Sequence, residues 1–347
     1  QGAYLQARGM LMALRAGDPS RVARAIAAEA AFSSCFGARA QPRVYRLIDV
    51  AEATAARLGE PRLIATVALM AGLGAHLGGR FAEAKAHLER ADGILRERCA
   101  GVWWELDSCK QFWLESCFYL GELNSFPEWV SNGLKEAEER GLLYAQASLR
   151  TGMPNASWLI RDEPERAVEA SANALSQWSR RGFHVQHWYQ LMSDTQAELY
   201  MGRGAEAHAR VEARWRDLSR SHLRRISHTQ IAASHLRARA ALAAAMHTRQ
   251  RAGLLELARS QAQRLDREKS PWASALSALI RASADNLAGH APTTSRLNYL
   301  RGALERSDLR LYALAIDTIQ SGGTTGLARC GVSNPQAFAR MLLPGLV

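Results

Sequence analysis

Several things are missing from this sequence, and each absence excludes a class of protein. No run alternates Val, Ile, Thr or Tyr with polar residues, which argues against a sheet-based fold. The longest apolar stretch, residues 64–79, is broken by His76 and four glycines. It falls short of the ~18–20 residues that cross a bilayer, so no membrane span is expected. The first residues, QGAYLQARGM, lack the basic start and apolar run of a signal peptide. They also lack an initiator Met, as expected of a piece cut from a longer protein. Cys35, Cys99, Cys109, Cys117 and Cys330 form no C-x-x-C pair and no Cys/His zinc spacing, and five is an odd number. Buried thiols in a reducing cytoplasm are the expectation, with a disulfide from Cys99 as the alternative. No Ser-x-x-Lys, G-x-S-x-G or H-E-x-x-H motif occurs, so neither catalysis nor a cofactor is expected. Lysine is scarce too: only Lys85, Lys110, Lys135 and Lys269 among 44 basic residues.

What is present is helix-forming sequence. Ala, Leu, Arg and Glu dominate, and these residues favour helix. Pro19, Pro42, Pro61, Pro127, Pro164, Pro271 and Pro292 read as first-turn prolines, where a missing N–H costs nothing. Asp18 and Ser270 precede two of them as cap candidates. Between these marks apolar residues recur at helical spacing, as in Leu88, Ala91 and Leu95, or Leu191, Thr195 and Leu199. The pattern predicts helices near 3–15, 19–35, 42–58, 61–77, 81–98, 103–121, 127–140, 143–160, 164–180, 184–201, 204–220, 228–246, 250–267, 271–288, 292–306, 308–320 and 334–343.

From residue 61 these helices pair. Second helices begin near Phe81, Pro127, Pro164, Gly204, Gln250 and Pro292, in steps of 46, 37, 40, 46 and 42 residues. That is a helix–turn–helix period, longer than a standard tetratricopeptide repeat. Small residues recur where paired helices would cross: Gly72 with Ala84, Leu88 and Ala91; then Ala167, Ser171 and Ala174; then Ala207 and Val211, with Arg214 breaking the pattern. The expected fold is all-α, a right-handed α-solenoid of tetratricopeptide-like repeats, extended and curved, occupying 1–347 as one domain. Residues 1–58 form atypical N-terminal helices, 59–306 the hairpin repeats and 307–347 capping helices. The segment 42–58 is one helix too many and reads as an extension of the first hairpin. First helices would line a concave groove.

The stretch RERCAGVWWELDS at 96–108, with GGRFAEAKAHLERADGIL before it and FWLESCFYLGEL after it, resembles the C-terminal region of large bacterial, myxobacterial-type, eukaryotic-like serine/threonine protein kinases. The ending NPQAFARMLLPGLV is similar to the ends of such chains. The resemblance implies a tetratricopeptide-like regulatory tail of a cytoplasmic signalling kinase. It carries no kinase activity here, because H-R-D, D-F-G, V-A-I-K and a glycine-rich phosphate loop are all absent. GLGAHLGG at 72–79 follows a helix and lacks the Gly-Lys-Ser/Thr ending, so it reads as close helix packing.

Two charge asymmetries suggest partner sites. Residues 97–139 carry nine acids against three bases, and eight aromatics lie between Trp103 and Trp129. Adjacent Trp103 and Trp104 cannot both face a helix core. With Trp113, Glu105 and Asp107 they suit a basic or aromatic segment of a protein or peptide partner in the groove. Core filling is the alternative. Residues 218–255 hold seven arginines, four histidines and no acid. Arg224, Arg225, Arg237 and Arg239 there suit acidic or phosphorylated segments, with nucleic acid as a further alternative. A solvated arginine-rich face competes with both readings. Arg237 or Arg239 is expected to face the groove without a carboxylate partner. His184 and His187, one turn apart, read as residues at a helix N-terminus rather than metal ligands.

Overall fold

The protein, as a computed structural model, is described for residues 2–346 except 177, 179, 180, 250 and 324. It is 79% helix with no strand among the described residues. The helices are α1 Gly2–Ala16, α2 Pro19–Ser34, α3 Gln41–Leu58, α4 Pro61–Leu77, α5 Phe81–Arg98, α6 Trp103–Leu120, α7 Phe126–Glu139, α8 Leu143–Arg150, α9 Ala156–Ile160, α10 Pro164–Ser176, α11 Val185–Tyr200, α12 Gly204–Arg220, α13 Ser227–Ala245, α14 Ala252–Arg267, α15 Pro271–Leu287, α16 Thr294–Glu305, α17 Arg310–Gln320 and α18 Pro335–Leu342. None is long and apolar enough to cross a membrane.

Proline marks the starts as expected at α2, α3, α4, α7, α10 and α15. Asp18 caps α2 by accepting from the Arg21 N–H at 2.9 Å, which satisfies one of the donors a helix start leaves open. Ser270 sits at the cap position of α15, but its hydroxyl makes no cap bond. Pro292 lies outside α16, because Thr293 takes the cap and binds the Arg296 N–H instead. The single helix expected at 143–160 is two. Gly152 turns left-handed at φ 65°, and its N–H leaves the helical ladder for Tyr189 O and Ser193 Oγ. Pro154 then has no N–H to continue it. Asn155 closes the gap by donating to Arg150 O at 2.9 Å and Ala167 O at 2.8 Å. The expected start at Gln250 and the end of 164–180 fall outside the described residues.

Contacts divide the chain into two compact units. The first comprises Gln1–Ser116 with Ile226–His228. Residues 42–58 form a separate helix here, split from α2 by a 3-10 turn at Gly37–Ala40 and packed on both α2 and α4. Ala23, Ala27, Ala51, Ala55, Leu63 and Val67 fill that junction. At the α4–α5 crossing Ala84 and Ala91 are fully buried. A Cβ on Gly72 would lie 2.7 Å from Leu88 Cγ, so only glycine lets these helices approach so closely. Residues 72–77 of GLGAHLGG are therefore packing surface within α4, and Gly78 and Gly79 form the turn after it.

The second unit comprises Cys117–Arg225 and Thr229–Val347. Within it α10–α11, α11–α12, α14–α15, α15–α16 and α16–α17 pack as sequence neighbours. Ala167, Ser171, Ala207 and Val211 are buried at these crossings. The start of α12 sits against α13, where a Cβ on Gly204 would fall 2.5 Å from the Ala243 carbonyl. Elements far apart in sequence also meet. The Tyr119 and Trp272 rings are 6.1 Å apart, and Gly121 abuts Leu311 and Leu314. Helix α18 lies on α11, with Phe338 and Tyr200 ring centroids 6.3 Å apart. The 307–347 segment therefore packs back on earlier helices, rather than only on its sequence neighbours as in a simple linear array.

Candidate functional site

The first turn of α6 is set by its buried stripe. Val102, Leu106 and Cys109 recur at helical spacing and enter the core shared with α4 and α5. Trp103 and Trp104 then fall on the opposite side, 49% and 63% exposed. The expectation that at least one of them escapes the core is met by both. Glu105 pairs with Arg62 at 3.2 Å, and Asp107 is half-buried. Trp113 is also half-buried, and its Nε1 donates to Glu89 at 3.0 Å.

The first unit also holds a buried polar set that sequence reading missed, because its members come from distant segments. His76 Nδ1 is 3.0 Å from Ser116 Oγ, and His76 Nε2 is 3.2 Å from Glu115 Oε2. Gln111 donates to the other Glu115 oxygen at 3.3 Å. Serine, histidine and glutamate are the residues of a hydrolase triad, but the geometry opposes that use. Ser116 Oγ donates to Phe112 O at 2.8 Å, whereas a nucleophilic serine must donate to its histidine. Ser116 and His76 are fully buried, so the set is structural.

The arginine run is not the open basic face its composition suggests. Arg239 is buried, and its Nη1 donates to Met341 O at 3.0 Å. It holds the C-terminal segment and cannot meet a partner, because the apolar helix α13 is enclosed on that side. Arg237 is gripped by Glu212, with Nε and Nη2 each 2.6 Å from a carboxylate oxygen. The expectation of an arginine without a carboxylate partner fails for Arg237, since Glu212 on α12 lies opposite it. Arg225 is exposed, and Arg224 is half-buried. Arg224 Nε donates to Gln230 at 2.9 Å and its Nη1 to Ser219 at 2.6 Å.

Trp215, just before the arginine run, organises this region. The guanidinium carbons of Arg224 and Arg237 lie 4.4 Å and 4.2 Å from its ring centre, within cation–π range. Burial, then the charges of Arg264 and Arg237, lower the Arg224 pKa from its ordinary value. His208, one turn before Glu212, is also lowered, first by burial.

A third feature is a solvent-open cleft of about 360 Å³ in the second unit, lined by Leu143, Gln146, Arg150, Asn173, Trp178 and His184 among others. His184 lies there because its backbone N–H is tied to His187 Nδ1 at 3.0 Å as α11 begins. Among the described residues no group of three His, Cys, Asp or Glu is placed to hold a metal, and no disulfide joins the cysteines. No protein-family model, curated protein or solved structure matches this chain.

Proposed function

We propose that this chain is a protein-interaction module: a right-handed α-solenoid-like array of tetratricopeptide-like hairpins that binds a protein segment carrying aromatic or basic side chains. The observation that carries this reading is the pair of adjacent exposed tryptophans at the start of α6, Trp103 and Trp104. Large rigid aromatics at low entropy cost are the residues most often responsible for binding energy at protein interfaces. Packed helix pairs with small residues at their crossings support the hairpin part of the reading. In the same reading the module is the cytoplasmic regulatory tail of a serine/threonine kinase-like protein, supported by the resemblance over about 60–125, and it does no chemistry itself.

The test is selection of peptides from a displayed random library against the purified chain, in parallel with a Trp103→Ala/Trp104→Ala double variant. Enrichment of aromatic or basic peptides that bind the variant at least about tenfold more weakly supports the reading. Equal enrichment on both proteins rejects the tryptophan pair as the binding surface. For the kinase context, a reading frame upstream that encodes no kinase domain would reject it.

A further inference from the structure

We propose that the Trp215 side of α12 binds a phosphoryl group on a protein segment, held by Arg224, Arg237 and Arg264. This rests on the interaction reading only in taking a protein as the carrier. Residues from four places in the chain converge here. Helix α12 supplies His208, Glu212, Trp215 and Ser219, which recur at helical spacing along one side. Helix α13 supplies Gln230 and Arg237, the turn between them supplies Arg224, and Arg264 of α14 is near enough for its charge to act on Arg224.

Both stacked guanidiniums are held in place while keeping donors to spare. Arg237 spends Nε and Nη2 on Glu212, which leaves Nη1 without a protein partner among the described residues. Arg224 spends Nε and Nη1 on Gln230 and Ser219, which leaves Nη2. Both guanidinium carbons also lie over the Trp215 ring, which helps to hold them. Arg264 is exposed, and its charge acts on Arg224 together with that of Arg237. Arg224 and Arg237, with the charge of Arg264 close by, are set against one carboxylate, Glu212, and burial of His208 favours its neutral form. The local excess of two positive charges matches a phosphate monoester, which carries about −1.5 to −2 at pH 7. Guanidiniums held in place suit such an anion, since the nitrogen each has left can donate to a phosphate oxygen.

Two of the cations, Arg224 and Arg237, meet at a single indole, a compact arrangement suited to one dianion. A nucleic-acid backbone needs cations spread along a track of phosphates. Within the arginine run the structure removes Arg239 from such a track by burying it.

The test uses the full chain and calorimetry with four probes: phosphoserine peptides with randomised flanks, the same peptides unphosphorylated, inorganic phosphate, and a twelve-residue oligothymidylate. The expected result is saturable binding of phosphoserine peptides, at least about tenfold tighter than their unphosphorylated forms, with inorganic phosphate competing. Arg264→Gln and Arg224→Gln should each weaken that binding about tenfold. Arg264→Gln should leave the melting temperature unchanged, which separates lost binding from lost folding. Binding indifferent to phosphorylation would overturn this site while leaving the interaction reading standing. So would parent-like affinity in both arginine variants. Oligothymidylate binding that falls steeply with salt and is not displaced by phosphate would overturn it in favour of nucleic acid.

Discussion

The imidazole rings of His76 and His228 lie 4.8 Å apart in the first unit, although 152 residues separate them in sequence. Burial, and then the neighbouring His76, hold the His228 pKa well below its ordinary 6.5. His235 in the second unit is depressed in the same way, by burial and then by Arg239. Both rings are neutral when folded, but they take up protons near pH 6.5 once unfolded. Stability is therefore fully present above about pH 6.5 and declines as pH falls below it, by up to about 1.4 kcal/mol per pH unit for each histidine. Melting temperatures from pH 7.5 to 5 should show this decline, and His235→Phe should make it shallower. A flat profile would contradict the burial of both rings.

The α4–α5 crossing is tight enough to reject a larger side chain. Ala84 is fully buried, and Leu88 already fills the space above Gly72. Ala84→Leu should cost about 1–3 kcal/mol through overpacking. Urea unfolding measures this as a lower midpoint with the slope preserved. An unchanged midpoint would mean that the crossing has room.

Tryptophan position, not tryptophan itself, should decide the cost of truncation. Trp272 is 2% exposed and packs on Tyr119, so Trp272→Ala should lose about 3–5 kcal/mol. Trp103→Ala and Trp104→Ala remove half-exposed or more exposed rings and should stay within about 0.5 kcal/mol of the parent chain. Denaturant curves of the three variants test the ranking, and a large loss at Trp104 would make that ring structural.

The C-terminal segment should protect earlier helices. Arg239 binds Met341 O, Asn286 Nδ2 donates to Gly345 O at 2.7 Å, and Ser333 N–H donates to Ile160 O at 2.9 Å. Deleting residues 326–347 should raise amide exchange in α11 and α13 of the second unit, while α4 and α5 of the first unit keep their protection. Exchange unchanged in α11 would show that the segment contributes nothing to its stability.

The helix inventory was legible because its signals are local. A first-turn proline and apolar spacing within a few turns each act over a short stretch of chain. The exposure of the Trp103–Trp104 pair was half legible: adjacency excluded burial of both, but not exposure of both. The buried spacing of Val102, Leu106 and Cys109 decided that. The fate of the arginines was not legible. Arg237 and Arg239 differ by two positions on one helix, yet one is claimed by Glu212 and the other by Met341 O, 102 residues away.

Sequence by itself thus determined an all-helical chain, where most helices begin, and which small residues sit at the crossings, since backbone propensity and amphipathic period are properties of short segments. Tertiary structure alone decided the break at 151–155, the return of α18 onto α11, the His76–Ser116–Glu115 set and the meeting of Arg224 and Arg237 at Trp215. Each depends on groups brought together across the fold, where burial makes an unmet donor or charge expensive and so selects its partner.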